Sequence, residues 1–306
     1  MRLRCRVKWP SHEAGGGTIS PPASAARPHA IVSLLLDATA GRVCPYLGTG
    51  FHETHTMTQA VWITGASGAI GSALARRLSA RGCRLALTAR DTSKLDHLAA
   101  SLPGEALVLA GDLTDPACAA ALLQTAQATL GPITGFAHCV GSTLIRPLHL
   151  TGEADLEAIF RLNYFSAFHA LKAFVAATLK HKQPSSAVLV GTLVAQAGFP
   201  NHEAIASAKA AVAALAMSTA ATYAEKNIRV NCVHPGLTRS ALSARLTGTP
   251  EAIERNSKMN PMGIVGEGED SAALIDLLLS EQARWITAQQ IGVDGGQAVI
   301  HPLPKA

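Results

Sequence analysis

The 306-residue chain is poor in charge, in aromatic side chains and in paired cysteine. Asp, Glu, Lys and Arg make up 15% of it and Phe, Trp and Tyr 4%, too few for the basic stripe interleaved with aromatics that binds nucleic acid. A net charge of +5 does not change this. Residues 1–56 carry Arg2, Arg4, Arg6, Lys8, Arg27 and Arg42 against Glu13, Asp37 and Glu53, which leaves 20 basic and 18 acidic side chains beyond them. The six cysteines (Cys5, Cys44, Cys83, Cys118, Cys139, Cys232) form no CxxC pair and have no histidine at zinc-finger spacing. Neither a metal site nor a disulfide framework is expected, and a reducing, cytoplasmic compartment is. The longest strongly apolar segment near the start, Ala30 to Leu36, is too short to span a bilayer, so no membrane partner is expected.

What the chain does have is aliphatic residues in a regular rhythm. Apolar residues make up 48% of it, enough for a sizeable single α/β domain. Residues 1–56, with Gly-Gly-Gly, Pro-Pro and Ala-Ser stretches, lack strand alternation and a helical stripe. They read as a disordered extension, or as sequence upstream of a true start at Met57. Residues 57–306 read as one domain. Short apolar runs at Ala60–Ile63, Arg84–Thr88, Ala106–Ala110, Thr134–His138, Ala187–Val190, Arg229–Val233 and Gln290–Val293 predict strands. Helical stretches such as Ile70–Ala80, Leu95–Ser101, Glu153–His181, Ala204–Ala224 and Asp270–Leu279 lie between them. Seven parallel strands covered on both faces make a doubly wound Rossmann sheet. Ser240 to Met262 interrupts the rhythm after the sixth strand, where a substrate lid would sit.

The strand Val61-Trp62-Ile63 runs through Thr64-Gly65-Ala66-Ser67-Gly68-Ala69-Ile70-Gly71 into a helix. Gly65 permits a tight turn, Gly68 lets backbone approach a pyrophosphate, and Gly71 lets the helix pack closely on the sheet. Amides at the helix start, with Ser67 and Ile70 in the same turn, then face phosphate. NAD recognition usually puts a carboxylate at the end of the second strand, but Ala89 stands there and Arg90 follows. A guanidinium suits a 2′-phosphate, so NADPH is favoured over NADH, with Asp91 read as the N-cap of the next helix.

Taken together, these motifs resemble the short-chain dehydrogenase/reductase family over nearly all of Thr58 to Ile300. Thr64 to Gly71 is similar to its TGxxxGxG turn, with Ala69 for the middle glycine. The resemblance makes Asp112 and Leu113 an adenine contact. It sets His138-Cys139-Val140-Gly141 where the family has Asn-Asn-Ala-Gly, so that Val140 and Gly141 border the cofactor. Asn163 matches the tetrad asparagine, Lys209 the tetrad lysine, and Thr192 the hydroxyl that polarises a substrate carbonyl. Pro235, Gly236, Leu237 and Thr238 match the loop that binds the nicotinamide carboxamide, and Asp294-Gly295-Gly296 the C-terminal signature, which implies a homodimer or homotetramer.

The tyrosine four residues before the lysine is missing, because Ile205 stands there. His202, seven residues before Lys209, has the spacing of the donor in enoyl-acyl carrier protein reductases; His202 or a water would supply the proton, or His202 simply belongs to a helix cap. Two functions follow from the residues: an NADPH-dependent reductase of a small to medium, partly apolar carbonyl or enone, or a catalytically silent NADPH-binding protein. Trp62 and Trp285 read as core aromatics, Tyr164 and Tyr223 as packing residues, His181 as solvated at a helix end, and Cys139 as an inert strand-end thiol.

Overall fold

The computed structural model describes residues 59–300, and the expected extension at 1–56, with Tyr46, lies outside them. The strands are β1 (Ala60–Thr64), β2 (Arg84–Ala89), β3 (Ala106–Ala110), β4 (Gly135–His138), β5 (Ser185–Val190), β6 (Ile228–Pro235) and β7 (Gln290–Val293). They form one seven-stranded sheet in the order β3-β2-β1-β4-β5-β6-β7, with every neighbour parallel. Parallel strands need crossovers on both faces, so they are buried on both sides and read as continuous apolar runs rather than as alternations. Val61, Trp62 and Ile63 in β1 and Ala187, Val188 and Leu189 in β5 are accordingly all inaccessible to solvent.

The helices are α1 (Ala69–Ala80), α2 (Thr92–Ala100), α3 (Pro116–Leu130), α4 (Glu153–Phe160), α5 (Ser166–His181), α6 (Glu203–Tyr223), α7 (Ala244–Thr247), α8 (Pro250–Ser257) and α9 (Gly268–Leu279). One apolar cluster joins Trp62, Phe136 and Ala187 to Leu123, Phe174 and Val212 from α3, α5 and α6. The other joins Ile63, Leu87 and Val188 to Leu74, Leu78 and Ile275 from α1 and α9. Stacked rings of Trp62, Phe136 and Phe174, with centroids 5.1 and 5.3 Å apart, tie β1, β4 and α5 together. Helix α6 is apolar and long enough to cross a membrane by length and composition. Its stripe of Ala208, Val212, Ala213, Ala216 and Ala220 is instead buried, with Val212, Ala213, Ala216 and Ala220 in the cluster that also holds β5 and β6 residues.

Several expectations meet corrections here. The single helix expected over Glu153–His181 is broken: α4 and α5 are separated by a π-helical turn, Arg161–Phe165. Trp285 is not core but 92% exposed, whereas Trp62 is fully buried. His181 is half-buried rather than solvated, and burial holds its imidazole below the usual range. Asp91 does cap α2, its side chain accepting from the Lys94 amide at 3.1 Å. The interruption at 240–262 folds as α7 and α8.

Candidate functional site

In an open parallel sheet the ligand crevice lies outside the carboxyl ends of the strands, where the strand order reverses. Here that point falls between β1 and β4, and the chain leaves them through Gly65 and through Cys139 to Gly141. Gly65 has φ of +71°, and a β-carbon there would lie 2.6 Å from the Cys139 carbonyl carbon. A β-carbon at Gly71 would lie 2.4 Å from Gly65 O, so α1 starts pressed onto the turn. The N-cap of α1 is Gly68, with no side-chain cap. The first amides of α1 are therefore left without intrahelical or capping partners, a setting that fits an anion such as a pyrophosphate. Ser67 is half-buried and Gly68 exposed beside them.

Arg90 is exposed at the end of β2 and makes no ion pair among the described residues. Asp112, after β3, accepts from the Thr114 amide at 2.9 Å, and Leu113 is buried. This side of the crevice thus has a narrow turn, a helix start without a side-chain cap and an exposed cation that makes no ion pair among the described residues.

The other end of the crevice is built around Lys209. Helix α6 presents Ile205 and Lys209 one turn apart on one face, and His202, its N-cap, about two turns before Lys209 on the same face. The Lys209 ammonium donates to Val190 O at 2.8 Å and to Val140 O at 3.3 Å, at the carboxyl ends of β5 and β4. Burial brings its pKa down from 10.5 to about 8. Asn163 is fully buried in the π-helical turn. Its Oδ1 accepts from the Ser142 amide at 3.2 Å, and its Nδ2 donates to Ser142 Oγ at 3.0 Å and to Ile159 O at 2.9 Å. A β-carbon at Gly141 would sit 3.1 Å from Asn163 Oδ1 and 3.2 Å from Lys209 Nζ, so Gly141, Asn163 and Lys209 crowd one point.

Thr192 follows β5 two residues after Val190. Its carbonyl accepts from His234 Nδ1 at 3.0 Å and from the Ala195 amide at 3.1 Å. Its hydroxyl makes no hydrogen bond among the described residues. In the loop after β6, Thr238 Oγ1 donates back to Gly236 O at 3.1 Å. His202 Nδ1 donates to Pro200 O at 2.7 Å while its ring meets Phe199 edge-on, and it makes no hydrogen bond to Lys209, Thr192 or Asn163. Ile205 is 4% exposed, packed with Ile159, Ala204 and Ala208.

The sequence assigned no role to three buried groups near this end, His138, His234 and Cys232. His138 is fully buried, and burial with the neighbouring Lys209 charge holds its pKa at about 3. His234 is likewise buried and lowered by burial, with Nε2 unpartnered. Burial pushes the Cys139 and Cys232 thiols up to about 12, so they are protonated and inert. Among the described residues no group of His, Cys, Asp or Glu is arranged to hold a metal ion. A cavity of about 1180 Å³ lies at the opposite edge of the sheet, beside Gln59, Ser185 and Ile228 at the amino ends of strands. Its wall includes Arg77 and Arg81, already paired with Asp276.

Comparison with known proteins identifies the family. Residues 65–298 match the family model described as enoyl-(acyl carrier protein) reductase. The chain is 32% identical over 250 residues to 2-(S)-hydroxypropyl-CoM dehydrogenase 3 of Xanthobacter autotrophicus, covering 79% of this chain and 97% of that one. It is also 32% identical over 231 residues to a protein of the same organism named inactive 2-(S)-hydroxypropyl-CoM dehydrogenase 2, covering 74% and 100%. The structure of a short-chain type dehydrogenase/reductase from Mycobacterium ulcerans superposes with a TM-score of 0.75 at 27% identity, covering 79% of this chain and 90% of that one. The chain belongs to the short-chain dehydrogenase/reductase family of oxidoreductases.

Proposed function

We propose that the protein reduces a carbonyl or conjugated enone of a small to medium, partly apolar substrate with NADPH. The observation that carries this reading is the meeting of Lys209, Asn163 and Gly141 at the carboxyl ends of β4 and β5, opposite the uncapped start of α1. NADPH supplies the hydride when bound. The residues of the chain then have separable tasks. The Thr192 hydroxyl donates to the substrate oxygen as negative charge develops there. Lys209 holds the nicotinamide ribose, and Asn163 fixes the loop at Ser142 against which Lys209 is seated. His202 delivers the proton through Nε2, the ring nitrogen that Pro200 does not engage. Exposed Leu242, Met259, Met262 and Ile264 in and beside the expected lid favour a partly apolar substrate.

The test is NADPH oxidation with a panel of ketones and enones. Turnover is expected in the parent and about 100-fold less in His202→Ala. Binding of NADPH without oxidation of any substrate would overturn the reading. One observation favours a second reading, a catalytically silent NADPH-binding protein: Ile205 fills the phenol's place as a packed core side chain. A relative whose own name carries the word inactive fits the same idea. Activity that arises only on Ile205→Tyr would select this second reading.

Cofactor preference has its own test. A charge-assisted contact of Arg90 with the 2′-phosphate contributes about 1.5–3 kcal/mol. Arg90→Ala is therefore expected to weaken NADPH by roughly tenfold or more while leaving NADH nearly unchanged, as measured by cofactor fluorescence titration.

A further inference from the structure

His138 occupies the last position of β4, beside β1, and both of its ring nitrogens are engaged. Nδ1 lies 2.9 Å from Thr64 Oγ1, and Nε2 lies 3.2 Å from Ser166 Oγ. Thr64 is the last residue of β1 and enters the Gly65 turn, while Ser166 opens α5 directly after the π-helical turn that carries Asn163. These two hydroxyls are 102 residues apart in sequence and meet through one ring.

The direction of each hydrogen bond can be worked out. The ring is neutral at ordinary pH, so one nitrogen donates and the other accepts. Ser166 Oγ donates to Leu162 O at 2.5 Å, and its single proton is thereby used. Ser166 must therefore accept from the ring, which places the ring proton on Nε2. Nδ1 then accepts, and Thr64 Oγ1 must donate to it rather than to Ala137 O, which is farther away at 3.3 Å. The opposite tautomer leaves Nε2 facing a hydroxyl with no proton to offer, a buried unpaired acceptor that costs about 1–3 kcal/mol. One arrangement satisfies every group: Thr64 donates to His138, His138 to Ser166, and Ser166 to the carbonyl of Leu162, the residue before Asn163.

We propose that His138 is a positioning residue, its ring proton fixed on Nε2, that holds the entrance of the glycine-rich turn in register with the π-helical turn bearing Asn163. The π-helical turn loosens the backbone ladder there, and a side-chain bond to the Leu162 carbonyl fixes what the backbone leaves free. Because the chain of donors runs one way, removing its far end resets its near end. Without Ser166 Oγ, the Nε2 proton has no acceptor, the ring gains by moving its proton to Nδ1, and Thr64 Oγ1 must rotate to Ala137 O. The effect on cofactor rests on the dinucleotide reading above, whereas the tautomer does not.

Two measurements test the proposal. Nitrogen-15 spectra of the His138 ring are expected to show the Nε2–H form in the parent and the Nδ1–H form in Ser166→Ala. An Nδ1–H ring in the parent overturns the proposal, whether or not NADPH binds. For the cofactor, Ser166→Ala touches no part of the turn, yet is expected to weaken NADPH about threefold to tenfold, as is Thr64→Val. Thr64→Ser, which keeps the donor, is expected to recover most of the affinity that Thr64→Val loses. The double variant is expected to be no weaker than the weaker single variant, because both break one chain. Additive losses, or a lowered melting temperature in Ser166→Ala with unchanged NADPH affinity, would show a structural role alone and overturn the positioning role. A parent that binds no dinucleotide instead fails the cofactor reading.

Discussion

Gly65→Ala is expected to lower NADPH affinity by at least tenfold and to lower the melting temperature by roughly 6–12 °C. Two independent penalties meet at this residue. Its φ of +71° lies in the left-handed region, which costs a side chain about 1–2 kcal/mol. The added β-carbon would also lie 2.6 Å from the Cys139 carbonyl carbon and 2.7 Å from Cys139 O and Val140 N. All three are backbone atoms, so no side chain can rotate out of the way. β1 and β4 must move apart at their carboxyl ends, or the turn must lift from the sheet. A combined cost of about 3 kcal/mol, at about 2–4 °C per kcal/mol for a domain of this size, gives the expected range. Either displacement also separates the start of α1 from Val140 and Gly141, the two ends of the crevice. By contrast, a β-carbon at Gly68 would meet nothing nearer than Gly65 O at 3.3 Å, so Gly68→Ala is the control for a glycine in the same turn. Thermal melts of both variants check the contrast in stability, fluorescence titration measures the affinity of Gly65→Ala, and equal losses of melting temperature in the two would show that the backbone of Gly65 is not the cause.

The contrast between Gly65 and Asn163 also shows what the sequence makes legible. β1, the turn and α1 are contiguous, and their signal is local: an apolar run, glycines, then a helix. Each was readable to within a residue or two of its bounds. α3 is announced as locally, by Asp115, whose side chain caps the helix at the Ala117 amide, and by Pro116 in its first turn. The start of β5 at Ser185 is less legible, since two serines look unlike a buried strand. Ser185 Oγ donates to Gln183 O two residues back, whereas Ser186 Oγ donates to Leu278 O, a partner set by tertiary contact. The break in the expected helix at 161–165 has the same character. The apolar spacing continues through it, and what holds the turn is the bonding of Asn163 to Ser142 and of Ser166 to Leu162 O. Trp285 misleads in the opposite sense: its size predicts burial, but it follows the short 3-10 turn Glu281–Ala283 and projects from the sheet's amino edge. At the candidate site, Lys209 and Asn163 are singled out by motif. The partners that orient them, Val190 O, Val140 O and the Ser142 amide, are backbone atoms that no pattern of side chains specifies.

His138 gives the largest expected dependence on pH. Its unfolded value is near 6.5 and its folded value about 3, lowered first by burial and then by the Lys209 ammonium. Above pH 6.5 neither state carries the proton, and the full stability is present. As pH falls below 6.5 the unfolded chain takes up a proton that the folded chain refuses until about pH 3, so stability is lost across that window. At 1.36 kcal/mol for each pH unit between the two values, the loss reaches roughly 3 kcal/mol by pH 4.5. Protonation inside the fold would place a second donor on the ring at Nδ1, turning the Thr64 hydroxyl away. The acid loss and the hydrogen-bonded chain are thus one property seen from two sides. His138→Asn, the residue that the family resemblance sets at this position, removes the titration but cannot span from Thr64 to Ser166. Its stability is expected to fall less steeply between pH 6.5 and 4.5 than the parent's, by about the same 3 kcal/mol, even if it starts lower at pH 7. His234 and His181, both lowered by burial, remain in the variant and keep some acid loss in both proteins. Urea unfolding at several pH values measures the difference in slope directly, and parallel curves for the two proteins would mean that His138 is protonated in the fold.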